Sequence, residues 1–286
     1  RPELLAALKK VGINIVSVAN NHALDAGPDG LIRTLDNIEA AGIVATGAGR
    51  SRAEAEHIPS FAVKGISVVF LAYTYATNEG IPRKKKGMPS VNILRTDSDE
   101  DLVRAAAGVR LARASADLVV VSLHWSDEYR SDPTPWQRRA ARELIEAGAD
   151  IILGHHPHVL QPIESYTASD GRQCLIAFSL GNFISSQNYG VSNRNRDHAS
   201  ALRGDGIILT VHLRKEQGRT SVTGAEFLPI WTARQKVGNT FVFRPVCIAR
   251  ELERIGSLQR RSTEDENMLA LLRHRQKIIT DQLTKR

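Results

Sequence analysis

The sequence predicts an α/β layered fold, and three observations carry that expectation. Helical stretches alternate with short apolar runs rich in Val and Ile, the pattern of a sheet covered by helices. Four of those runs end in polar side chains that can bind a metal or move a proton. With 286 residues, 42% of them apolar, the chain can bury a sizeable core as one large domain, or as a main domain with an appendage.

In chain order, helices are expected over residues 2–11, 29–41, 100–115, 134–148 and 263–284. The strands that alternate with them are "INIVSV", "LVVVSL", "DIIL" and "CLIAFSL". Residues 206–245, with "GIILTVHLR" and "TSVTGAEFLPIW", read as strands that extend the same sheet. Residues 246–286 read as a helical tail. Its last helix opens on Thr263 and Glu266 in capping-box spacing and carries one apolar stripe through Met268, Leu271, Leu272, Ile278, Ile279 and Leu283. The expected division is therefore a domain over 1–245 and a C-terminal helical extension over 246–286.

Composition narrows the function classes. The 38 Lys and Arg against 31 Asp and Glu leave a net charge of +7, which suits an anionic partner. Residues 234–286 hold twelve basic and six acidic side chains, so most of the excess lies there. Two cysteines, Cys174 and Cys247, supply neither a disulfide framework nor a cysteine metal site. No apolar run approaches the length of a membrane-spanning helix. Nucleic-acid binding is disfavoured: aromatic residues are 5% of the chain, and the basic residues are not interleaved with stacking rings. "GAG" at 47–49 lacks the spacing of a dinucleotide fingerprint. "AFSLG" nearly spells a nucleophile elbow around Ser179, but the polar stretch after Gly181 has no helical period and the first position is Ala177.

The strand ends are more informative. "INIVSV" runs into Ala19, Asn20, Asn21 and His22; "LVVVSL" into His124, Trp125, Ser126, Asp127 and Glu128; "DIIL" into Gly154, His155, His156, Pro157 and His158; "CLIAFSL" into Gly181 and Asn182. In open α/β sheets ligands bind beyond the carboxyl ends of strands, so these segments are expected to converge on one crevice. Three of the nine histidines fall within 155–158. Imidazole ligates zinc, manganese, iron and nickel, and His156 with His158 forms a His-x-His grip that His124 would complete as a three-nitrogen set. Asn21 beside His22 places an oxygen ligand next to a proton donor, an arrangement suited to metal-assisted hydrolysis of a phosphoester or amide. His155 is a second candidate catalytic residue; supporting the ligands from behind, or replacing one, are also open to it. Glu128 is a possible local carboxylate.

These residues carry a family resemblance. "ANNHALDAGPDGLIRTLDNIEAAGIVATGAG", "LHWSDEY" followed by "PTPWQRRAARELIEAGADIILGHHPHVLQPIE", and "FSLGNF" resemble the ordered motifs of CapA-type poly-gamma-glutamate capsule synthesis proteins, a branch of the calcineurin-like metallophosphoesterase fold. The resemblance covers residues 1 to about 190. It implies a four-layer α/β/β/α sandwich with further N-terminal strands upstream of Arg1. It also implies Asn21 as a metal-bridging ligand, His22 as the acid near the leaving group, and His124, His156 and His158 as metal ligands.

The implied cofactor is a divalent ion, Mn, Zn or Fe, dinuclear if carboxylates usually supplied upstream are present. Ser126 stands where the family commonly has glycine, and Phe178 where it has tyrosine. The partner expected by resemblance is an anionic substrate or polymer, poly-gamma-glutamate or a phosphoester. Membrane association would come through a segment preceding Arg1, and an envelope location follows by analogy. The alternative is a non-catalytic envelope component that binds or exports an acidic polymer. Arg83 to Lys86 ("RKKK"), Arg194, Arg196 and Arg203 would then form the clamp.

Overall fold

The computed structural model describes residues 2–80, 88–191, 195–196 and 198–284; the basic run Arg83–Lys86 and Arg194 lie outside them. Its first part runs α1 (Pro2–Lys10), β1 (Ile15–Ser17), α2 (Gly27–Ala40), β2 (Val44–Thr46), β3 (Ala48–Gly49), α3 (Arg52–Ala55), β4 (Ser60–Val63), β5 (Ile66–Thr74) and β6 (Ser90–Val91). There follow α4 (Asp99–Ser115), β7 (Leu118–His124), α5 (Pro135–Glu146), β8 (Ile151–His155), β9 (Leu160–Thr167) and β10 (Gln173–Leu180). A 3-10 turn over Ala199–Gly204 then leads to β11 (Asp205–Glu216), β12 (Arg219–Val237), β13 (Thr240–Cys247), α6 (Ile248–Gly256) and α7 (Thr263–Leu283).

The main sheet has six strands in the order β4-β5-β7-β8-β10-β9. Its four inner strands are parallel, and the edges β4 and β9 are antiparallel. Because β7 is covered on both faces, "LVVVSL" is buried continuously, apolar but for Ser122, rather than alternating. Val119, Val121, Leu123, Ile152 and Ile176 point to one face, where Leu102, Ala105 and Val109 of α4 and Trp136, Ala140 and Leu144 of α5 cover them. Each fully buried Leu or Ile there contributes roughly 1.5–3 kcal/mol. Helix α5 is held at its start by a capping box between Thr134 and Gln137.

On the opposite face Val68, Leu118, Val120 and Ile151 pack against Val211, Leu213 and Val222 of a three-stranded antiparallel sheet, β11-β12-β13. Trp231, Ala233 and Val246 of that second sheet meet Ile248, Leu272 and Ile279 of the last two helices. The layers are thus helix, sheet, sheet, helix. Beside them β1 and β2 form a short parallel pair covered by Leu5 and Leu8 of α1 and by Leu31, Leu35 and Ile38 of α2.

Three expectations change. The strands of 206–245 form their own sheet instead of extending the first. The free edge of β10 is already taken by β9, and a single bridge, Gly181 to Gly206, joins the two sheets. The tail is two helices, α6 and α7, separated by residues 257–262. The last of them is capped by Ser262 with Asp265, one residue before the expected Thr263 and Glu266. Strand β5, with the loop behind it, was not anticipated at all.

Candidate metal centre

The carboxyl ends of β5, β7, β8 and β10 lie side by side at one edge of the parallel sheet, and the segment after β1 reaches His124 there. His124 ends β7 and lies directly opposite His155, the last residue of β8, in the parallel register. Both side chains share the sheet face of Val120 and Ile151. The ring of His156 sits 4.8 Å from that of His124 and 4.7 Å from that of Tyr75; the His158 ring lies 5.9 Å beyond. Glu128, His156 and His158 each offer a ligand atom, all within 4.8 Å of one another.

On the other side of His124, its Nε2 lies 2.9 Å from Asn21 Oδ1. Asn21 Nδ2 donates to Asn78 Oδ1 at 3.1 Å, which fixes the amide orientation. His22 Nδ1 is 2.6 Å from Asp25 Oδ2, so its N–H is committed to the carboxylate. The Asn78 Nδ2 group, 3.1 Å from that nitrogen, therefore turns its hydrogen toward Asp25 Oδ1 at 3.4 Å. His22 is left with Nε2 available and a carboxylate behind it. Asn21, His22, His124, His156 and His158 are thereby linked, directly or through Asn78, into one cluster. His155 is adjacent but outside the converging group of Glu128, His156 and His158.

The backbone here is held in a conformation that L-residues avoid. Ser126 (φ 73°), Tyr129 (φ 64°), His156 (φ 92°) and His158 (φ 57°) are all left-handed, and none is glycine. Such residues cost on the order of 1–3 kcal/mol each and persist where the surroundings over-determine them. The surroundings do so. Trp125 N donates to His155 O at 3.1 Å, Tyr129 N to Pro157 O at 2.7 Å, and Asn182 Nδ2 to His158 O at 3.2 Å. Gly154 passes so close to β10 that a Cβ there would meet Phe178 O at 1.9 Å.

Burial keeps the imidazoles of His124, His155 and His156 neutral. His124 is pushed down to about 2, chiefly by burial and then by the neighbouring histidines. His155 is pushed down to about 4 by burial, and His156 to about 4, also mainly by burial. A neutral imidazole is the ligating form. His158 Nδ1–H donates to Asn182 Oδ1 at 3.0 Å, which leaves the Nε2 lone pair for a ligand. His156 Nδ1 and Ser126 Oγ are buried with no hydrogen-bond partner among the described residues, and buried polar atoms of that kind need a reason. A cation beside His156 satisfies the nitrogen, so the residues present fit a divalent ion. For Asn21 and His124 to join as ligands, the hydrogen bond between them would give way to lone pairs turned to the ion.

Asn78, Asp25, Tyr75 and Tyr129 are components the sequence reading missed. Tyr75 and Asn78 follow "ISVVFLAYT" in "YATNEG", which is the same apolar-run-then-polar signal that marked the other strand ends.

Fold and cleft together define an α/β sandwich protein with a candidate metal centre at its strand ends. Residues 1–187 match the family model described as Bacterial capsule synthesis protein PGA_cap. The "PGA biosynthesis protein CapA" of Bacillus subtilis is 35% identical over 223 residues, 77% of this chain and 53% of that protein. The "Capsule biosynthesis protein CapA" of Bacillus anthracis is 34% identical, over 76% of this chain and 52% of that protein. The solved calcineurin-like phosphoesterase YfkN from Bacillus subtilis aligns at a TM-score of 0.42 and 12% identity, covering 99% of this chain and 75% of that one. The chain belongs to the PGA_cap family of bacterial capsule synthesis proteins. It spans about half the length of the curated relatives it matches.

Proposed function

We propose that this chain is a metal-dependent, phosphoesterase-like hydrolase serving capsule or poly-gamma-glutamate formation at the cell envelope. The observation that carries the reading is the convergence of Glu128, His156 and His158, with the orphaned His156 nitrogen, beside the His124–Asn21 pair. Those five residues would hold the ion or ions. A bound divalent ion supplies Lewis-acid polarisation of a phosphoryl or carbonyl oxygen. The chain's own groups do the rest. His22, its Nδ1 proton held by Asp25, is placed to give a proton from Nε2 to a leaving group. Asn78 fixes both Asn21 and Asp25, tying the proton donor to the ligand side of the cleft. Tyr75 closes one side of His156 and reduces access of water to it. The envelope location rests on relatives named for capsule and PGA biosynthesis; among the described residues no helix is long and apolar enough to cross a membrane.

The test is elemental analysis of the purified chain beside His156→Ala and His158→Ala, with hydrolysis of bis(p-nitrophenyl) phosphate assayed in Mn, Zn or Fe. Stoichiometric metal in the parent that is lost in both variants, together with turnover, is expected. Equal metal in all three overturns the ligand assignment. Metal without turnover favours the alternative, an envelope component that binds or exports an acidic polymer.

A further inference from the structure

We propose that Arg203 is the substrate-recognition residue of this cleft, binding a second oxyanion of the substrate, a carboxylate or phosphate, beside the group held at the candidate metal centre. The proposal rests on the hydrolase reading for what lies next to it. The guanidinium of Arg203 lies 3.8 Å over the ring of Tyr129, and that ring is 6.0 Å from the ring of His158. One aromatic ring therefore separates the cation from a candidate metal ligand. Among the described residues no carboxylate pairs with Arg203, whereas the buried arginine Arg275 holds Asp205. Stacking on a tyrosine fixes the plane of a guanidinium while leaving its N–H edge free, the geometry that binds a carboxylate or phosphate with two parallel hydrogen bonds.

The position of Arg203 is built. It sits on the 3-10 turn Ala199–Gly204, where Ala201 is buried and a Cβ on Gly204 would meet the Trp231 ring at 2.4 Å. The Arg203 carbonyl accepts from Asn182 Nδ2 at 2.9 Å, and the same Asn182 accepts from His158 Nδ1 through its Oδ1 at 3.0 Å. One asparagine thus sets the Arg203 backbone and the His158 ring relative to each other. Tyr129, held at φ 64° by its N–H on Pro157 O, directly follows Glu128, which belongs to the converging ligand group. The cation, its platform and the candidate ligands form one connected unit. A substrate with a single reacting group would have no use for this cation; one carrying a neighbouring carboxylate or phosphate would.

The experiment is calorimetric titration of inorganic phosphate and, separately, of glutarate into the whole chain, its Arg203→Gln form and its Arg203→Lys form, with metal content measured on each. Melting temperatures within a few degrees of one another confirm that the fold is kept. About a ten-fold loss of affinity in Arg203→Gln, only partly regained in Arg203→Lys because an ammonium keeps the charge but not the stacked fork, is expected for at least one of the two anions, with metal content unchanged. Loss for phosphate alone identifies a phosphate-bearing substrate, and loss for glutarate alone a carboxylate-bearing one. If neither anion binds the parent, or the Gln form binds both as well as the parent does, the proposal is overturned. A parent chain that holds no metal but still loses anion affinity in Arg203→Gln overturns the hydrolase reading and leaves the recognition residue standing.

Discussion

Replacing Ser126 by glycine should stabilise the metal-free chain, against the usual direction of a substitution to glycine. Three terms compete. The left-handed φ of 73° costs a serine about 1 kcal/mol, which glycine does not incur. The buried, unpartnered Ser126 hydroxyl carries a desolvation cost of about 1–3 kcal/mol, which disappears with the side chain. Against both, glycine gives the unfolded chain extra freedom worth roughly 0.5–1 kcal/mol. The balance favours the variant by about 1–3 kcal/mol. For a chain of this size, that is a rise in melting temperature of about 2–5 °C. The assay is differential scanning calorimetry in chelator, so that no ion bound near the hydroxyl enters the comparison. An unchanged or lower melting temperature would show that Ser126 is neither strained nor orphaned in the folded chain, and the account of a strained loop would fail with it.

Other substitutions read other parts of the structure. Arg275→Ala leaves Asp205 buried without the guanidinium that binds it, and should cost about 3–5 kcal/mol; the paired change Arg275→Met with Asp205→Leu should restore most of that in a thermal melt. A double variant no more stable than the single one would refute this reading. Asp101, fully buried at the start of α4, is held down to about 2 by the Arg95 hydrogen bond first, against the opposing effect of burial. A depressed folded-state value means stability that is present above pH 4 and lost as pH falls toward 2. Denaturant titration should therefore show Asp101→Asn less stable than the parent by about 2 kcal/mol at pH 6, with the gap closing near pH 2–3. Asp25→Asn should lower turnover about ten- to a hundred-fold while leaving bound metal unchanged, because it touches His22 and no ligand; metal loss in that variant would place Asp25 among the ligands.

Much of the cleft was legible because its residues follow a local rule. Apolar runs of Val and Ile predict strands, and polar residues at their ends predict a crevice, so Asn21, His22, His124, His156 and His158 could be placed together before any geometry was known. The same rule applied to "ISVVFLAYT" and its sequel, which would have yielded Tyr75 and Asn78. Tyr129 was hidden for another reason. Its place depends on a left-handed φ that a non-glycine sequence does not announce, and on a hydrogen bond to Pro157 from a separate loop. The second sheet was misassigned because alternation tells which face of a strand is buried, not which sheet the strand joins. Residues Val211, Leu213 and Val222 look alike in sequence whether they extend the first sheet or pack across its face.

The strained loops and the neutral histidines point to one economy of the fold. Positive φ at His156 and His158, a buried imidazole nitrogen without a partner, and histidines held neutral by burial each lower the stability of the chain. They lie in two loops and face the same few ångströms of space, whereas the α4–α5 core behind them is conventionally packed. A ligand that binds only the folded state returns stability in proportion to its affinity, about 2.7 kcal/mol at a hundred-fold excess over its dissociation constant. Strain concentrated where a cation would relieve it is what a preorganised site requires, since ligands already in position need no reordering when the ion arrives. Lys64, Asp97 and Gln217 also have positive φ, each alone in its own turn, whereas the four at Ser126, Tyr129, His156 and His158 gather around the candidate ligands, and that clustering is what separates a site from an irregular turn.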